Sequence, residues 1–104
     1  MQQPTVGRIV HVLVDPKHNN GADVAPAIIT RAWGPEAVNV RVLHDGPNVV
    51  DTTHNQREEW MTSISVHESR EALEDHAAQR QAELDAISPG QTVAIRGAFW
   101  PPRD

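Results

Sequence analysis

Apolar and polar positions alternate in several stretches of this chain, as expected for strands with one buried face. The clearest stretch is residues 38–42, where valines at every second position alternate with Asn39 and Arg41. β-Branched residues are frequent over 6–14, which ends at Asp15 and Pro16. The pattern predicts five strands in all, over residues 6–14, 25–33, 38–42, 60–66 and 91–96.

The predicted strands are separated by polar segments. Residues 17–23 form a glycine-containing connection, 45–48 (DGPN) have the composition of a turn, and 49–59 form a long polar loop. Pro26 is acceptable only near the beginning of its strand or at an edge. In the last predicted strand Val93 and Ile95 are expected to face inward.

A change of period after residue 68 predicts one helix. Ser69 is a suitable N-cap, residues 70–87 are rich in Ala, Glu, Gln and Arg, and Ser-Pro-Gly at 88–90 ends the segment. The apolar positions share one stripe, which is narrow and is interrupted by Arg80: Leu73, Ala77, Leu84 and Ile87. Such a helix is expected to pack lightly on its own domain or to dock on a partner.

Five short strands with one helix before the last favour a mainly β fold: a small, five-stranded antiparallel SH3-like barrel with an inserted helix at about 69–87. An open α+β sheet is the alternative. The 104 residues form one predicted domain, 1–104. Only 23 residues are Val, Ile, Leu or Phe, so the predicted core is thin, and we expect a homo-oligomer, most simply a dimer.

Charge and composition exclude several function classes. The net charge of -5 and the single lysine, Lys17, argue against binding bulk nucleic acid, which depends on many basic contacts to phosphate. Absence of cysteine excludes disulfides and thiolate metal sites and fits a reducing cytoplasm. Residues 1–4 lack the features of a signal peptide, and the sequence contains no stretch long enough to cross a membrane.

The order of four motifs resembles a family of short, mostly uncharacterised proteins of tailed bacteriophages and prophages. The motifs are GRIVHV at 7–12, AIITR at 27–31, VNVRVLHDGPN at 38–48 and GAFWP at 97–101. Family members usually carry Tyr where Val12 stands and a longer Trp-His-Trp-Pro-like ending, and the helix lies outside the resemblance. The family has no settled activity. The resemblance implies a small accessory protein in the host cytoplasm, such as an antagonist of host defence or a minor virion component.

No residue pattern predicts catalysis or a cofactor. The six histidines include no pair at metal-ligand spacing with a carboxylate, and the serines lack a nucleophile elbow. The glycines lie singly at turns and form no phosphate-binding loop. We therefore expect a protein that is not an enzyme and that has no metal or cofactor.

The few aromatic residues fall at the ends of predicted strands, where a ring either closes a barrel or stacks on a planar ligand. Core closure is the simpler interpretation. The alternative is a binding surface in which guanidinium groups bind phosphate, amide and hydroxyl groups a sugar, and indoles a base. Its predicted residues are Arg31, Trp33, Arg41, Asn48, Thr53, His54, Trp60, Arg96 and Trp100. The expected ligand is an anionic, nucleotide-type small molecule, with a host protein as the other candidate partner.

Overall fold

The structure is a computed structural model that describes residues 3–45, 60–91 and 96–102. The elements within these ranges are strands β1 (Ile9–Leu13), β2 (Val24–Gly34), β3 (Ala37–Val42), β4 (Trp60–His67) and β5 (Gly97–Phe99), with helix α1 (Arg70–Ile87) between the last two. A single 3-10 turn, Pro16–His18, lies between β1 and β2.

The five strands close into a barrel in the order β1-β2-β3-β4-β5. Four of the pairings are antiparallel, including the β1–β5 pairing that closes the barrel, and β4–β5 is parallel. The parallel pair follows from α1, because a crossover helix returns the chain to the same end of the sheet. The predicted mainly β barrel with one inserted helix is therefore confirmed, and the open sheet is excluded.

The last strand of the described residues, β5, lies beyond the segment predicted to form the last strand. Gln91 and Arg96, the ends of the predicted strand, both lie outside strands, and residues 92–95 are outside the described ranges. The observed β5 consists of Gly97, Ala98 and Phe99, which bridge β4 and β1. Glycine suits position 97 because α1 packs directly over it. A strand of three residues is too short to show the alternation of apolar and polar positions from which strands are predicted.

Alternating residues of all five strands point into the barrel. The buried cluster contains Val10, Val12, Ala25, Ala27, Ile29, Val38, Val40, Val42, Ile64, Val66, Ala98 and Trp100. Most of these side chains are small or β-branched, so the interior suits a narrow barrel. No residue of α1 belongs to the cluster, in keeping with a helix added outside the barrel.

The helix contacts the barrel through its first two turns. The Ser69 side chain accepts a hydrogen bond from the Ala72 amide at 3.1 Å and caps the helix. Leu73 and Ala77 are buried against the barrel, whereas Ile87 at the far end is 83% exposed. A Cβ on Gly97 would lie 2.7 Å from Leu73 Cδ1, so glycine is what allows α1 to approach β5 this closely.

An ion pair fastens the start of α1 to the segment before β2. The Arg70 guanidinium contacts Asp23 Oδ2 at 2.7 Å and Glu74 Oε1 at 2.7 Å. The hydrogen bond from Arg70 lowers the pKa of the Asp23 carboxyl, and the two carboxylates raise the pKa of Arg70. All three groups are solvent-exposed, so the pair orients the helix more than it stabilises the fold.

Candidate functional site

Two irregularities in β2 turn its last residues away from the barrel interior. Ala25, Ala27 and Ile29 face inward, and strict alternation would place residues 31 and 33 on the same side. The register with β3 shifts between Ile29 and Arg31 and again between Ala32 and Gly34. Because each shift inserts an unpaired residue, Arg31 pairs with Asn39 on the outer face.

A third bulge has the same effect on β4. Val38 pairs with Ile64 and Val40 with Met61, so two residues of β4, Thr62 and Ser63, lie opposite Asn39 alone. Ser63 adopts a left-handed conformation with φ of 54°. Alternation alone would put Trp60 on the side of Ile64 and Val66; the bulge instead leaves Trp60 outside.

Asn39 holds this bulge in place. Its side-chain oxygen accepts hydrogen bonds from the Ser63 amide at 2.8 Å, the Thr62 hydroxyl at 3.0 Å and the Trp33 indole nitrogen at 2.9 Å. Asn39 is 8% exposed, which makes it one of two buried polar residues of the described chain. One amide oxygen therefore fixes both the bulge of β4 and the orientation of the Trp33 ring.

Trp33 and Arg31 form a stacked pair on the outer surface. The guanidinium carbon of Arg31 lies 4.0 Å from the centre of the Trp33 ring system. The ring is 53% exposed despite its hydrogen bond to Asn39. Its orientation is thus set before any ligand arrives, and its uncovered surface is available for stacking.

Arg41 and Trp60 form a second pair beside the first. They are register partners on β3 and β4, and side chains at directly opposed positions have Cβ atoms about 4.5–5.5 Å apart. Trp60 is 47% exposed. Within the described residues the ion pairs of arginine involve Arg70, so neither Arg31 nor Arg41 has a carboxylate partner there. We call the outer surface formed by Arg31, Trp33, Asn39, Arg41 and Trp60 the Trp–Arg face.

The structure brings together four of the nine residues predicted for ligand binding: Arg31, Trp33, Arg41 and Trp60. Asn48, Thr53 and His54 lie outside the described residues. Arg96 is exposed at the start of β5, away from β2 and β3 in the strand order.

Trp100 has a different role from the other two tryptophans. It is 4% exposed and belongs to the core cluster, with the Arg8 guanidinium 5.2 Å from its ring centre. Core closure is therefore the correct interpretation of Trp100 and of the buried Phe99, and the wrong one for Trp33 and Trp60.

The sequence predicts Asn39 only as a polar residue of an alternating strand and not as a functional residue. Its residue type nevertheless indicates a special role. Asparagine is depleted in strands, so an asparagine between two core valines requires nearby donors for its side chain.

A second polar cluster lies where α1 covers the barrel. Ser65 Oγ and His67 Nε2 are 2.8 Å apart, and the ring centres of His67 and His76 are 5.0 Å apart. Burial is the largest cause that lowers the pKa of His67, and the charge of His76 lowers it further, while Glu36 opposes both.

Within the described ranges, no group of three or more histidine, aspartate or glutamate side chains is placed to hold a metal ion. The helix of the described chain lacks the length and apolar character needed to cross a membrane. No family model matches the chain, and comparisons with curated proteins and with solved structures give no significant match.

Proposed function

We propose that this protein is a non-enzymatic binding module whose Trp–Arg face binds an anionic ligand carrying a planar base. The observation that carries the proposal is the pairing of two exposed indoles with two arginines on one outer face. Backbone irregularities in β2 and β4 turn Arg31, Trp33 and Trp60 outward, and bulges are typically found where a strand re-aims a side chain for function.

The chemistry of the face fits a nucleotide better than a protein segment. Indole rings stack on any base, and guanidinium groups donate charge-assisted hydrogen bonds to phosphate. Since neither arginine is neutralised by a described carboxylate, the face favours an anion. The predicted polar residues Asn48, Thr53 and His54 would supply sugar contacts if their segment approaches the same face.

The resemblance to phage proteins supplies the setting for this activity. A protein of this kind would act in the host cytoplasm as an antagonist of host defence, by sequestering a nucleotide-type signal or by occupying a host protein. In either case it works by binding and not by turnover.

The Ser65–His67 hydrogen bond is the contact that most resembles a catalytic pair, and its surroundings favour a structural role. Ser65 Oγ and Leu73 Cδ1 both lie close to the point where a Cβ on Gly97 would be, at 3.1 Å and 2.7 Å. The hydroxyl is therefore packed beside β5 and α1, and its bond to His67 joins neighbouring side chains of β4.

The second candidate function is a minor structural or assembly protein of the virion. It is favoured by the C-terminal half of α1, where Ile87 is 83% exposed and does not belong to the buried cluster of the barrel. A helix end of this kind suits docking on a larger component or on a second copy of the chain. Association of two copies is the simplest form of the proposed homo-oligomer.

Indole fluorescence during titration with AMP and with adenosine tests the proposed activity. The account predicts that both quench the signal and that AMP binds more tightly, because only AMP offers a phosphate to the arginines. The double variant Arg31→Ala/Arg41→Ala should abolish the preference for AMP, while Arg80→Ala, an exposed arginine on α1, should preserve it. Equal affinities of AMP and adenosine for the wild-type protein, or no binding of either, would contradict the proposal.

A further inference from the structure

The Trp–Arg face contains two aromatic–arginine units, one a stacked pair and the other a pair of register partners. The first unit is Arg31 stacked on Trp33, and the second is Arg41 beside Trp60. Arg31 pairs with Asn39, which precedes Arg41 by two residues on the same face of β3. Two residues of a strand span about 7 Å, and β2 and β4 lie on either side of β3 about 10 Å apart, so the two units are separated both along and across β3.

The presence of two units bears on the size of the ligand. A single nucleotide offers one base and fills one unit, which leaves the other exposed indole in water. An extended dinucleotide offers two bases, which its flexible sugar–phosphate backbone can splay apart to reach indoles on either side of β3. We propose that the Trp–Arg face binds a dinucleotide, with one base on Trp33, one on Trp60 and the phosphates between Arg31 and Arg41. This inference rests on the proposed function and narrows its ligand class.

The charge of the protein argues against a longer strand. Binding along a polynucleotide gains affinity from each additional phosphate contact. This chain has a net charge of -5 and one lysine, and the described part of the face contributes two guanidinium groups. The positive charge is therefore local, which suits a ligand of two nucleotides and repels the remainder of a long strand.

The two tryptophans differ in how they are held. Asn39 fixes the Trp33 ring through its indole nitrogen, and Arg31 covers one face of it. The first base thus has a single preformed surface on which to stack, and its position directs the second base toward Trp60. A preformed site of this kind loses less conformational entropy on binding.

Calorimetric titration of the full-length protein with AMP, 5′-phosphorylated diadenylate and a longer oligoadenylate tests the inference. A second stacked base is expected to make diadenylate bind about 5- to 150-fold more tightly than AMP. The longer oligomer should bind no more tightly per site than diadenylate.

Substitutions test which residues give diadenylate its higher affinity. Trp33→Ala and Trp60→Ala should each remove the advantage of diadenylate over AMP. Arg41→Gln should also reduce this advantage, and it has little effect on packing. Arg80→Gln, at an exposed position on α1 outside the face, is the matched control and should retain the advantage.

The outcomes separate this inference from the function on which it rests. Equal binding of AMP and diadenylate to the wild-type protein would overturn the two-unit site and leave a one-nucleotide function standing. Markedly tighter binding of the longer oligomer would overturn the dinucleotide in favour of a single-strand site. Failure of all three ligands to bind would overturn the proposed function itself.

Discussion

At the scale of single residues, Asn39 determines what the outer face presents. Its side-chain oxygen accepts three hydrogen bonds, from the Trp33 ring, the Thr62 hydroxyl and the Ser63 amide. The amide oxygen takes the place of a backbone partner at the bulge of β4. Loss of this one group would free the Trp33 ring and leave the bulge without its acceptor.

We predict that Asn39→Ala lowers the free energy of unfolding by about 1–3 kcal/mol, because it removes the shared acceptor of three partly buried hydrogen bonds. Thr62→Val is the matched control: it removes one of the three donors, keeps the side-chain shape and should cost less. Chemical denaturation measures both, and near-ultraviolet circular dichroism reports the ordering of Trp33. An Asn39→Ala protein as stable as the wild type, with an unchanged Trp spectrum, would show that Asn39 does not organise the face.

The tryptophans themselves provide a second prediction. Trp100 is 4% exposed, and its replacement by Ala should cost about 3–5 kcal/mol of stability. Trp60 is 47% exposed, and the same replacement there should cost only about 1 kcal/mol. Denaturant unfolding of the two variants measures the contrast. If Trp60→Ala is as damaging as Trp100→Ala, the ring of Trp60 closes the core and the Trp–Arg face does not exist.

Four residues of the Trp–Arg face could be predicted from the sequence because strand-end aromatics and arginines are visible as residue types. Their orientation could not be predicted. Alternation puts residues 31 and 33 on the side of Ala27 and Ile29, and only the bulges reverse this. A bulge depends on cross-strand hydrogen bonds such as those of Asn39, and these join residues more than twenty positions apart.

At the scale of elements, the helix illustrates both what a pattern predicts and where it fails. Its cap at Ser69 and its end at Ile87 agree with the sequence, because capping and helix-breaking residues are local signals. The burial of Leu73 and Ala77, and the exposure of Ile87, depend on β5 lying beneath the first two turns. β5 was not predicted because Gly97, which this contact requires, and Ala98, which lies in the core cluster, carry no strand signal of their own.

Gly97→Ala tests the close approach of the helix. The added methyl group would meet Leu73 Cδ1 at 2.7 Å, and we expect a loss of about 1–3 kcal/mol in unfolding free energy. Combining it with Leu73→Ala should cost less than the sum of the two single changes, because the second change removes the clash. Strict additivity in the double-mutant cycle would indicate that the helix does not rest on Gly97.

The contact between α1 and β4 is also expected to weaken in acid. Burial and His76 lower the pKa of folded His67 below the unfolded value of 6.5, while Glu36 acts in the opposite sense. As the pH falls, His67 is therefore protonated at a higher pH in the unfolded chain than in the folded protein. Stability from neutral His67 is complete above pH 6.5 and decreases as the pH falls from there toward the folded pKa.

Urea midpoints measured from about pH 7.5 down to about pH 5 check this expectation. The decrease in urea midpoint with falling pH should be smaller in His76→Gln, which lacks the charge next to His67. It should be smaller again in His67→Gln. A His67→Gln protein with the same pH dependence as the wild type would place the effect at other groups.

At the scale of the whole molecule, the barrel is a small scaffold with two differently used outer surfaces. One surface is covered by the first half of α1 through Leu73 and Ala77, and the other is the Trp–Arg face. Interior side chains are mostly alanine and valine, so the core provides limited burial for a chain of 104 residues. Burial of apolar surface between two copies of the chain would offset the limited burial in the core. Ile87 is the large exposed apolar side chain of the helix that such a contact could bury.

We therefore predict a dimer in solution. Light scattering at micromolar concentration should give twice the mass of the chain, and Ile87→Arg should shift the mass toward that of the monomer without changing the β signal in circular dichroism. Ile87→Leu is the control, because it preserves the apolar surface. A monomeric mass for the wild-type protein would remove oligomerisation from the account.

The central claim is that the Trp–Arg face holds an anionic, base-containing ligand. Native mass spectrometry tests it most directly, on wild-type, Arg31→Ala and Arg41→Ala proteins purified from infected or defence-expressing cells. The account predicts that the wild-type protein retains a nucleotide-type mass, and that both variants fold and lose it. A wild-type protein without bound ligand, or folded variants that both retain it, would contradict the account and favour a protein-docking or structural role.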